Sequence, residues 1–384
     1  MKKQAPQKAD AARARIWKLL CRLLTPIWVR AKQYHFDPIT LQGPYLLIAN
    51  HASNSDPILM GLASPGQPLA VVGSEHLERL GFLTRLLNRC FHLIPRSKGS
   101  SGVGTVKAIL KTIRQGRPVL LFAEGECSWD GVSIPVFSAT GKLAKHTGVP
   151  LVTYRLQGNY LAKPRWAKRS RRFPIRGSMV RIYSPEELDA MSPDEVNRAI
   201  NRDICEDAWQ TAAQTKAETF ARASAAGLEQ ALFLCPSCGG IGTLRGRGSI
   251  FSCCCGFSAP MDRAGLFTAG PFCTIRDWDR WQQDAMDKLV CQGEKSGLFP
   301  AEGWLTRFSG NERQRVRFCL NLRDQTIEIT GKPVPFSEIS GIAMVKTNRL
   351  LFTVNGDYCE IYAKKAVLRP YLLAVQAAQR EKER

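Results

Sequence analysis

The sequence lacks any apolar run long enough to cross a bilayer, and it is poor in acidic residues. No stretch of about 18 uninterrupted apolar residues occurs, so an integral spanning helix is not expected. The 384 residues include 33 Asp and Glu against 54 Lys and Arg, which gives a formal net charge of +21. This excess favours a polyanionic partner: nucleic acid, an anionic membrane face or a phosphorylated substrate. The apolar content of 44% excludes wholesale disorder.

The N-terminal segment has neither a signal-peptide pattern nor low complexity. Lys18 and Arg22 interrupt its apolar run, and no small-residue cleavage site follows. Residues 1–15 are polar and basic and predict a flexible arm. The segment Ile16–Arg30 predicts a basic amphipathic helix whose Trp17 and Trp28 anchor it at a membrane surface. An ordinary helix packed on the adjacent domain is the alternative.

From Tyr45 onwards, short apolar runs alternate with helical patterns. This alternation predicts an α/β fold with a mostly parallel sheet flanked by helices. In such sheets, functional residues gather beyond the carboxyl ends of the strands. The predicted strands are Tyr45–Ala49, Leu69–Val72, Phe91–Ile94, Pro118–Phe122 and Pro150–Tyr154. The predicted helices are 56–63, Glu75–Asn88, Val103–Arg114, Lys142–His146 and a long helix Pro193–Ala226.

One of the five histidines, His51, has a carboxylate close to it in the sequence. His51 leaves the first predicted strand, and Asp56 follows five residues later. A carboxylate paired with a histidine fixes the imidazole tautomer and stabilises the imidazolium, so that the ring acts as a general base. Because this spacing is common by chance, the alternative is a turn in which Asp56 caps the next helix.

Three later segments stand at the ends of the following strands. Arg96 follows the third strand, Phe122 to Ser128 follow the fourth, and Val149 to Thr153 form the fifth. In order, these segments and Asn50-His51-Ala52-Ser53-Asn54-Ser55-Asp56 resemble the four blocks of the glycerolipid (lysophospholipid) acyltransferase family. The resemblance covers roughly residues 37–210.

The resemblance implies an acyl transfer catalysed by His51 and Asp56. His51 would deprotonate the acceptor hydroxyl, which attacks the thioester of acyl-CoA or acyl carrier protein. Arg96 would bind the acceptor phosphate, while Glu124 and Gly125 would shape the acceptor site. The simplest reaction converts 1-acylglycerol-3-phosphate to phosphatidic acid, and a different lipid acceptor is the alternative. The family mechanism needs no metal and no covalent acyl-enzyme.

The third block departs from the family pattern at three positions. It carries Ala123 for Pro, Glu126 for Thr and Cys127 for Arg. The missing Arg removes a phosphate contact, which the basic run around Arg165–Arg172 could replace. Cys127 is interpreted as a substituted position, because the His51 and Asp56 pair already accounts for the chemistry.

Five of the 13 cysteines fall between Cys235 and Cys255, and the others are scattered. Two short glycine-bearing knuckles are typical of a zinc ribbon, in which four thiolates hold one structural ion. Cys235, Cys238 and Cys255 are the first three predicted ligands, and Cys253 is preferred over Cys254 as the fourth. A disulfide framework is disfavoured, because the scattered thiols indicate a reducing compartment.

The remaining sequence predicts an α+β tail. Strands near Arg315–Leu322, Thr326–Thr330, Ile339–Val345, Leu350–Val354 and Tyr358–Tyr362 precede a helix from Ala366. This succession resembles the pleckstrin-homology and GRAM-type half barrel in topology. The predicted division is a membrane-contacting segment 1–36, an acyltransferase domain 37–215, a helix and zinc ribbon 216–262, and a C-terminal α+β domain 263–384.

Two other functional classes are compatible with parts of the sequence. A zinc ribbon with a net charge of +21 suits a nucleic-acid-binding protein, although that interpretation leaves the four ordered blocks unexplained. The ribbon and tail also suit a docking module for a protein or lipid partner. The leading prediction is a cytoplasmic acyltransferase, peripheral on the inner face of the cell membrane, for which nucleic acid is not an expected partner.

Overall fold

The computed structural model describes residues 4–74, 92–96, 102–215, 225–292, 299–308 and 312–383. The predicted helix Glu75–Asn88 lies outside these ranges. The chain divides into two compact units. The first comprises Met1–Ser97, Ser101–Pro164 and Arg172–Ala217, and the second comprises Lys98–Ser100, Arg165–Arg171 and Glu218–Arg384. The predicted domain boundaries stay predictions.

A seven-stranded sheet forms the centre of the first unit. Its strands are β1 (Tyr34–Phe36), β2 (Leu46–Ala49), β3 (Ala70–Ser74), β4 (His92–Arg96), β5 (Val119–Leu121), β6 (Leu151–Gln157) and β7 (Ile175–Tyr183). They lie in the order β1-β7-β6-β2-β5-β3-β4. Strands β2 to β6 run parallel, as predicted, while β7 pairs antiparallel with β6. The mixed sheet therefore keeps the carboxyl ends of β2, β4, β5 and β6 on one edge.

Helices surround this sheet in the first unit. They are α1 (Gln4–Lys32), α2 (Asp56–Ala63), α3 (Val103–Arg114), α4 (Ala139–Thr147), α5 (Asn159–Ala162), α6 (Pro185–Ala190), α7 (Pro193–Ile204) and α8 (Ala208–Gln214). Leu46 and Ile48 of β2 enter a core shared with α3, α4 and α7. Leu47 lies between them and is also fully buried, so it packs on the opposite face. Burial on both faces explains the unbroken apolar strand sequences.

The N-terminal helix differs from its prediction. Helix α1 begins at Gln4, so most of the expected flexible arm is helical, in keeping with its alanine and basic residues. Trp17 is buried, and its indole N–H donates to the carbonyl of Ser64 at 3.0 Å. Trp17 is therefore a packing residue of the first unit. Within the part of the chain that the structure describes, none of the helices has the length and apolar character of a transmembrane span.

The long helix predicted over Pro193–Ala226 is wrong, because the chain breaks between α7 and α8. Glu206 is buried and accepts a hydrogen bond from the Thr211 hydroxyl at 2.9 Å. Asp207 then caps α8 by accepting from the backbone N–H of Trp209 at 3.0 Å. These side-chain bonds stabilise a non-helical connection that periodicity alone does not reveal.

Strand β7 was not predicted, because most of it lies within the strongly basic stretch Lys163–Arg181. Several of its central side chains are exposed, so no apolar alternation marks it. Its pairing with β6 is a long-range interaction that defines the strand instead.

The second unit begins with a small three-stranded antiparallel sheet. Its strands β8 (Leu244–Arg247), β9 (Ile250–Cys253) and β10 (Ser258–Pro260) lie in the order β10-β9-β8. Helix α9 (Ile275–Gln292) packs on it through Trp278. The Trp278 ring lies 5.3 Å from that of Phe251 and 5.2 Å from that of Phe267, and its N–H donates to the carbonyl of Leu234.

A second seven-stranded sheet, entirely antiparallel, follows helix α9. Its strands are β11 (Phe299–Arg307), β12 (Glu312–Asn321), β13 (Thr326–Ile329), β14 (Lys332–Pro335), β15 (Ile339–Val345), β16 (Arg349–Val354) and β17 (Asp357–Tyr362). The order β14-β13-β12-β11-β17-β16-β15 gives a half barrel followed by helix α10 (Arg369–Glu383). The predicted half barrel is present, and β11 and β14 were not predicted.

A buried ion pair joins helices α9 and α10. Arg369 on α10 donates to both carboxylate oxygens of Asp279 on α9, at 2.6 and 2.7 Å. Both side chains are almost fully buried. Arg369 also donates to the carbonyl of Ala231, so the pair links three parts of the unit.

Candidate functional site

The strand ends bring the predicted site residues of the first unit to one edge of the sheet. His51 follows β2, Glu124 follows β5, and both strands are direct neighbours. Strand β6 lies on the other side of β2 and ends just before Asn159. Parallel pairing therefore assembles, from residues far apart in sequence, one cluster centred on β2.

His51 and Asp56 form the expected pair. The Nδ1 atom of His51 lies 2.8 Å from Oδ2 of Asp56. The same oxygen accepts the backbone N–H groups of Ala52 and Ser53, and Asn159 donates to the other oxygen. Because Asp56 offers only acceptors to these donors, we assign the proton of the neutral ring to Nδ1. The Nε2 atom is then the ring nitrogen that could accept a proton.

Asp56 is positioned by the start of helix α2. It is the first residue of this helix, and Pro57 follows at a position where the missing N–H costs nothing. Asp56 is fully buried, whereas the side chain of His51 is 18% exposed. The carboxylate is thus fixed inside the protein while the imidazole reaches the surface of the site.

Cys127 lies directly against the Nε2 atom of His51. Its Sγ atom is 3.1 Å from Nε2 of His51, and the residue is buried. The ring of His51 stacks on Phe122, with 4.3 Å between the ring centroids. Burial lowers the pKa of His51, but the negative charge of Cys127 and the hydrogen bond to Asp56 outweigh it and raise the pKa to about 10. Sequence reasoning treated Cys127 only as a substituted position.

Glu124 binds the backbone of the site. One carboxylate oxygen accepts the N–H of His51 at 2.7 Å, and the other accepts the N–H of Ile134 at 2.7 Å. Burial raises the pKa of Glu124 to about 8, against the lowering effect of these two hydrogen bonds. The described contacts make Glu124 a positioning residue for His51, and its predicted role in the acceptor site stays a prediction.

Arg96 and Gly125 meet at Phe137. The guanidinium of Arg96 lies 4.5 Å from the ring centroid of Phe137, in cation–π contact. Gly125 has φ +82°, and a Cβ there would lie 2.5 Å from the Phe137 ring. Glycine is therefore required for both backbone and space. The Gly125 N–H donates to the carbonyl of Phe122 at 3.2 Å.

Asn50 and Asn159 were not predicted as site residues. Asn50 exchanges two hydrogen bonds with the backbone of Leu156, which fixes β2 against β6. Asn159 contacts Asp56 across 103 positions of sequence. The only signal available was that Asn159 follows a predicted strand.

The four predicted metal ligands lie together in the second unit. The sulfur atoms of Cys235, Cys238, Cys253 and Cys255 all lie within 4.8 Å of one another and could hold a metal ion. The Sγ atoms of Cys235 and Cys255 are 3.8 Å apart, as are those of Cys238 and Cys253. The set includes Cys253, the preferred fourth ligand, while Cys254 is exposed and outside it.

Comparison with known proteins supports the interpretation of the first unit. Residues 29–157 match the family model described as Acyltransferase. The 1-acyl-sn-glycerol-3-phosphate acyltransferase of Cocos nucifera is 26% identical over 173 residues, which cover 43% of this chain and 54% of the relative. The alpha form of that enzyme from Homo sapiens is 26% identical over 166 residues, covering 42% of this chain and 56% of the relative.

The chain thus spans about half the length of the curated relatives it matches. A solved structure, the 1-acyl-sn-glycerophosphate (LPA) acyltransferase PlsC from Thermotoga maritima, is also similar. It is 16% identical with a TM-score of 0.41, and the match covers 53% of this chain and 83% of that chain.

Proposed function

Because the domain that carries His51 belongs to the glycerolipid acyltransferase family, we propose that this chain moves a fatty acyl group from a thioester donor to a lysophospholipid hydroxyl. The donor is acyl-CoA or acyl carrier protein. The acceptor is 1-acylglycerol-3-phosphate, and the product is phosphatidic acid. The observation that carries the proposal is the hydrogen bond between His51 Nδ1 and Asp56, which leaves Nε2 to handle the acceptor proton.

The proposed role of Asp56 is to stabilise the charge that develops on His51 during acyl transfer. When the acceptor hydroxyl loses its proton to His51 Nε2, a positive charge develops on the ring. Asp56, held by two backbone N–H groups and Asn159, stabilises that charge without moving. Such preorganisation lowers the barrier because no solvent has to reorient as the charge forms.

Arg96 is the proposed contact for the acceptor phosphate. Its guanidinium stays charged, and its planar fork matches phosphate oxygens. Stacking on Phe137 limits its rotamers and directs it toward the loop that carries Gly125. A fixed guanidinium at this edge would select a lysophospholipid whose phosphate lies close to the reacting hydroxyl.

The four clustered thiols are proposed to hold one structural zinc ion. A tetrahedral ion with Zn–S bonds of about 2.3 Å places its ligands about 3.8 Å apart. The two measured sulfur separations of 3.8 Å support this fit. Four thiolates from Cys235, Cys238, Cys253 and Cys255 leave no position for a reacting water, so the ion would stabilise the ribbon and take no part in acyl transfer.

The exposed face of helix α1 supports attachment to an anionic membrane surface. Ile16, Leu19, Leu23 and Ile27 recur at helical spacing and are each more than half exposed. Lys18 and Arg22 are exposed near this stripe. An apolar stripe beside cations is the pattern of a helix that lies in the membrane interface. We propose that the protein binds peripherally to the inner, cytoplasmic face of the cell membrane.

The second unit is proposed as the docking module, with the topology of a pleckstrin-homology or GRAM domain. A cavity of about 970 Å³ in this unit is lined by Arg245, Arg315, Lys364 and Lys365 and by one carboxylate, Glu302. Such a lining favours an anionic group. A nucleic-acid ligand is the alternative, and tight salt-dependent binding of bare DNA would favour it.

The proposal is tested by assaying the purified full chain with acyl-CoA or acyl carrier protein against a panel of lysophospholipids. Lipid mass spectrometry should find phosphatidic acid with 1-acylglycerol-3-phosphate as the acceptor. Arg96→Ala should raise KM for this acceptor and leave KM for phosphate-free monoacylglycerol unchanged. Absence of acyl transfer to every lipid in the panel would reject the proposal.

A further inference from the structure

The cysteine in the third block is positioned as a nucleophile. Cys127 Sγ lies 3.1 Å from His51 Nε2, and His51 Nδ1 lies 2.8 Å from Asp56. A thiol, an imidazole and a carboxylate in sequential contact are the arrangement of enzymes that form a covalent thioester. Resting on the acyltransferase function proposed above, we propose that Cys127 takes the acyl group from the donor before the acceptor receives it.

The position of the thiol conflicts with direct transfer. In a direct reaction, the acceptor hydroxyl must hydrogen-bond to His51 Nε2, because that atom removes its proton. Cys127 already lies against Nε2. Direct transfer therefore requires the thiol to be displaced, whereas a covalent route uses the same contact in its first step.

The backbone around Cys127 is held in place. The N–H of Ser128 donates to the carbonyl of His51 at 2.9 Å, so the residue after the cysteine is tied to the catalytic histidine. The Ser128 hydroxyl accepts the N–H of Gly131 at 2.9 Å and closes the following turn. These bonds fix the separation between sulfur and imidazole, which nucleophilic attack requires.

Another buried cysteine in the first unit shows what a structural thiol looks like. Cys21 is also buried, but its sulfur lies 3.9 Å from the carbonyl oxygen of Gly61. Burial raises the pKa of Cys21 to about 11. The sulfur of Cys127 instead contacts an imidazole nitrogen, as in catalytic cysteines that pair with a histidine.

In the first step, the Cys127 thiolate attacks the thioester carbonyl carbon of the donor. A new C–S bond to Cys127 forms, the C–S bond to coenzyme A or the carrier protein breaks, and the leaving thiolate takes the proton from His51 Nε2. The products are an acyl-Cys127 thioester, a free donor thiol and a neutral imidazole. One thioester replaces another, so no oxidant or reductant is needed.

In the second step, the acceptor hydroxyl transfers its proton to His51 Nε2, and its oxygen attacks the acyl-Cys127 carbonyl. A C–O bond forms, the C–S bond to Cys127 breaks, and the thiolate returns beside the imidazolium. Once the sulfur is acylated, it is no longer an anion and no longer pairs with Nε2 of His51. That nitrogen can then bind the acceptor hydroxyl. His51 thus acts as the general acid in the first step and as the general base in the second.

The experiment mixes the full chain with acyl-CoA in the absence of acceptor and quenches it at short times. We expect a burst of free coenzyme A of about one equivalent per chain, and an acyl adduct on the peptide that contains Cys127. Hydroxylamine should remove the adduct, because it cleaves thioesters. Steady-state kinetics with both substrates should give the parallel double-reciprocal lines of a ping-pong reaction.

Variants at position 127 separate a nucleophile from a passive substitution. Cys127→Ala should abolish the burst and lower kcat by about 10²-fold or more. Cys127→Arg, which restores the residue of the family pattern, should be equally inactive. Cys21→Ala, which removes a buried thiol away from the site, should keep both burst and adduct. Circular dichroism checks that each variant is folded.

A spectroscopic readout does not depend on turnover. Because the charge of Cys127 raises the pKa of His51 to about 10, Cys127→Ala should lower the pKa measured by NMR titration of the imidazole. Wild-type kcat in Cys127→Ala, with no adduct in the parent chain, would overturn the covalent route and leave the acyltransferase function standing. No transfer and no adduct with any donor or acceptor would overturn both.

Discussion

His51 is restrained by hydrogen bonds at its backbone and at both ring nitrogens. Glu124 binds its N–H, Asp56 binds Nδ1, and Cys127 contacts Nε2. The ring can therefore exchange a proton without changing its orientation. Both the direct and the covalent route proposed for acyl transfer use this one imidazole, so we expect activity to depend most directly on His51.

Replacing the imidazole should abolish transfer while the fold persists. We expect His51→Ala to lower kcat by about 10²–10⁴-fold, the usual loss when a general base is removed. Asp56→Asn should produce a similar loss, because its amide cannot accept all of the present donors. His146→Ala is the matched control, since His146 is exposed at the end of α4. Near-normal turnover by folded His51→Ala would contradict the catalytic assignment.

Glu124 makes stability depend on pH. Burial raises the pKa of Glu124 to about 8, so the native state holds this proton more tightly than the unfolded state. Its stabilising contribution is fully present below pH about 4.5 and is lost as the pH rises through about 8. The free energy of unfolding should therefore decrease across this window in the parent chain.

Denaturant unfolding at several pH values measures this effect. Glu124→Gln, which stays neutral, should show a flatter dependence between pH 4.5 and 8 because the titrating carboxyl is gone. Equal slopes for Glu124→Gln and the parent chain would mean that Glu124 titrates normally in the folded protein.

The residue-level site was only partly predictable from sequence. His51 and Asp56 lie five positions apart across a strand-to-helix turn, so local rules were sufficient to pair them. The contact of Asn159 with Asp56 requires β6 to lie beside β2, which local patterns do not specify. Cys127 was interpreted as a substituted position because His51 and Asp56 already account for the chemistry, and its contact with Nε2 of His51 depends on long-range packing.

At the scale of elements, helix α1 presents two different faces. Trp17 and Cys21 pack against the unit, while Leu19 and Leu23 are more than half exposed. An apolar stripe of this kind is costly in water and useful at an interface. Deleting the whole helix would remove both faces, so single substitutions on the exposed face give the cleaner experiment.

Leu19→Glu combined with Leu23→Glu should weaken binding to anionic vesicles. Each leucine transferred from water contributes up to about 1.5–3 kcal/mol, so we expect a loss of affinity of at least about tenfold. Vesicle co-sedimentation measures it, and rising salt should weaken binding further by screening the basic residues. Val103→Glu, at another exposed apolar position, is the control. Unchanged binding would mean that α1 serves packing alone.

Elements were predicted well where local patterns decide them and poorly where distant partners do. Helices α2 and α3 begin and end where the sequence pattern placed them. The break before α8 depends on Glu206 being buried and bonded to Thr211. Strand β7 exists through its ladder with β6 and has no apolar alternation of its own.

At the scale of the whole molecule, the four-thiol cluster should make the second unit dependent on metal. Elemental analysis should find about one zinc per chain. Cys235→Ser and Cys238→Ser should each lose it, because three thiolates hold the ion more weakly. Cys254→Ser is the matched control, since Cys254 is adjacent in sequence but outside the cluster. Equal zinc content in all variants would reject the assignment.

Metal removal should also change how strongly the backbone amides near the thiol cluster are protected from hydrogen exchange. Chelation should increase amide hydrogen exchange in β8, β9 and β10, because metal binding and folding are linked in small cysteine-rich modules. Strands β2 and β5 of the first unit should keep their protection, which provides an internal comparison within the same chain.

The ion pair between Asp279 and Arg369 has a consequence for how the protein is made. Asp279 leaves the ribosome 90 residues before Arg369. At a synthesis rate of roughly 5–20 residues per second, that interval is about 5–18 s. Until Arg369 arrives, burying Asp279 would leave a carboxylate without its cation, which is strongly unfavourable. The native burial of Asp279 is therefore completed only after α10 has been synthesised, although the partners of Trp278 all precede it in the chain.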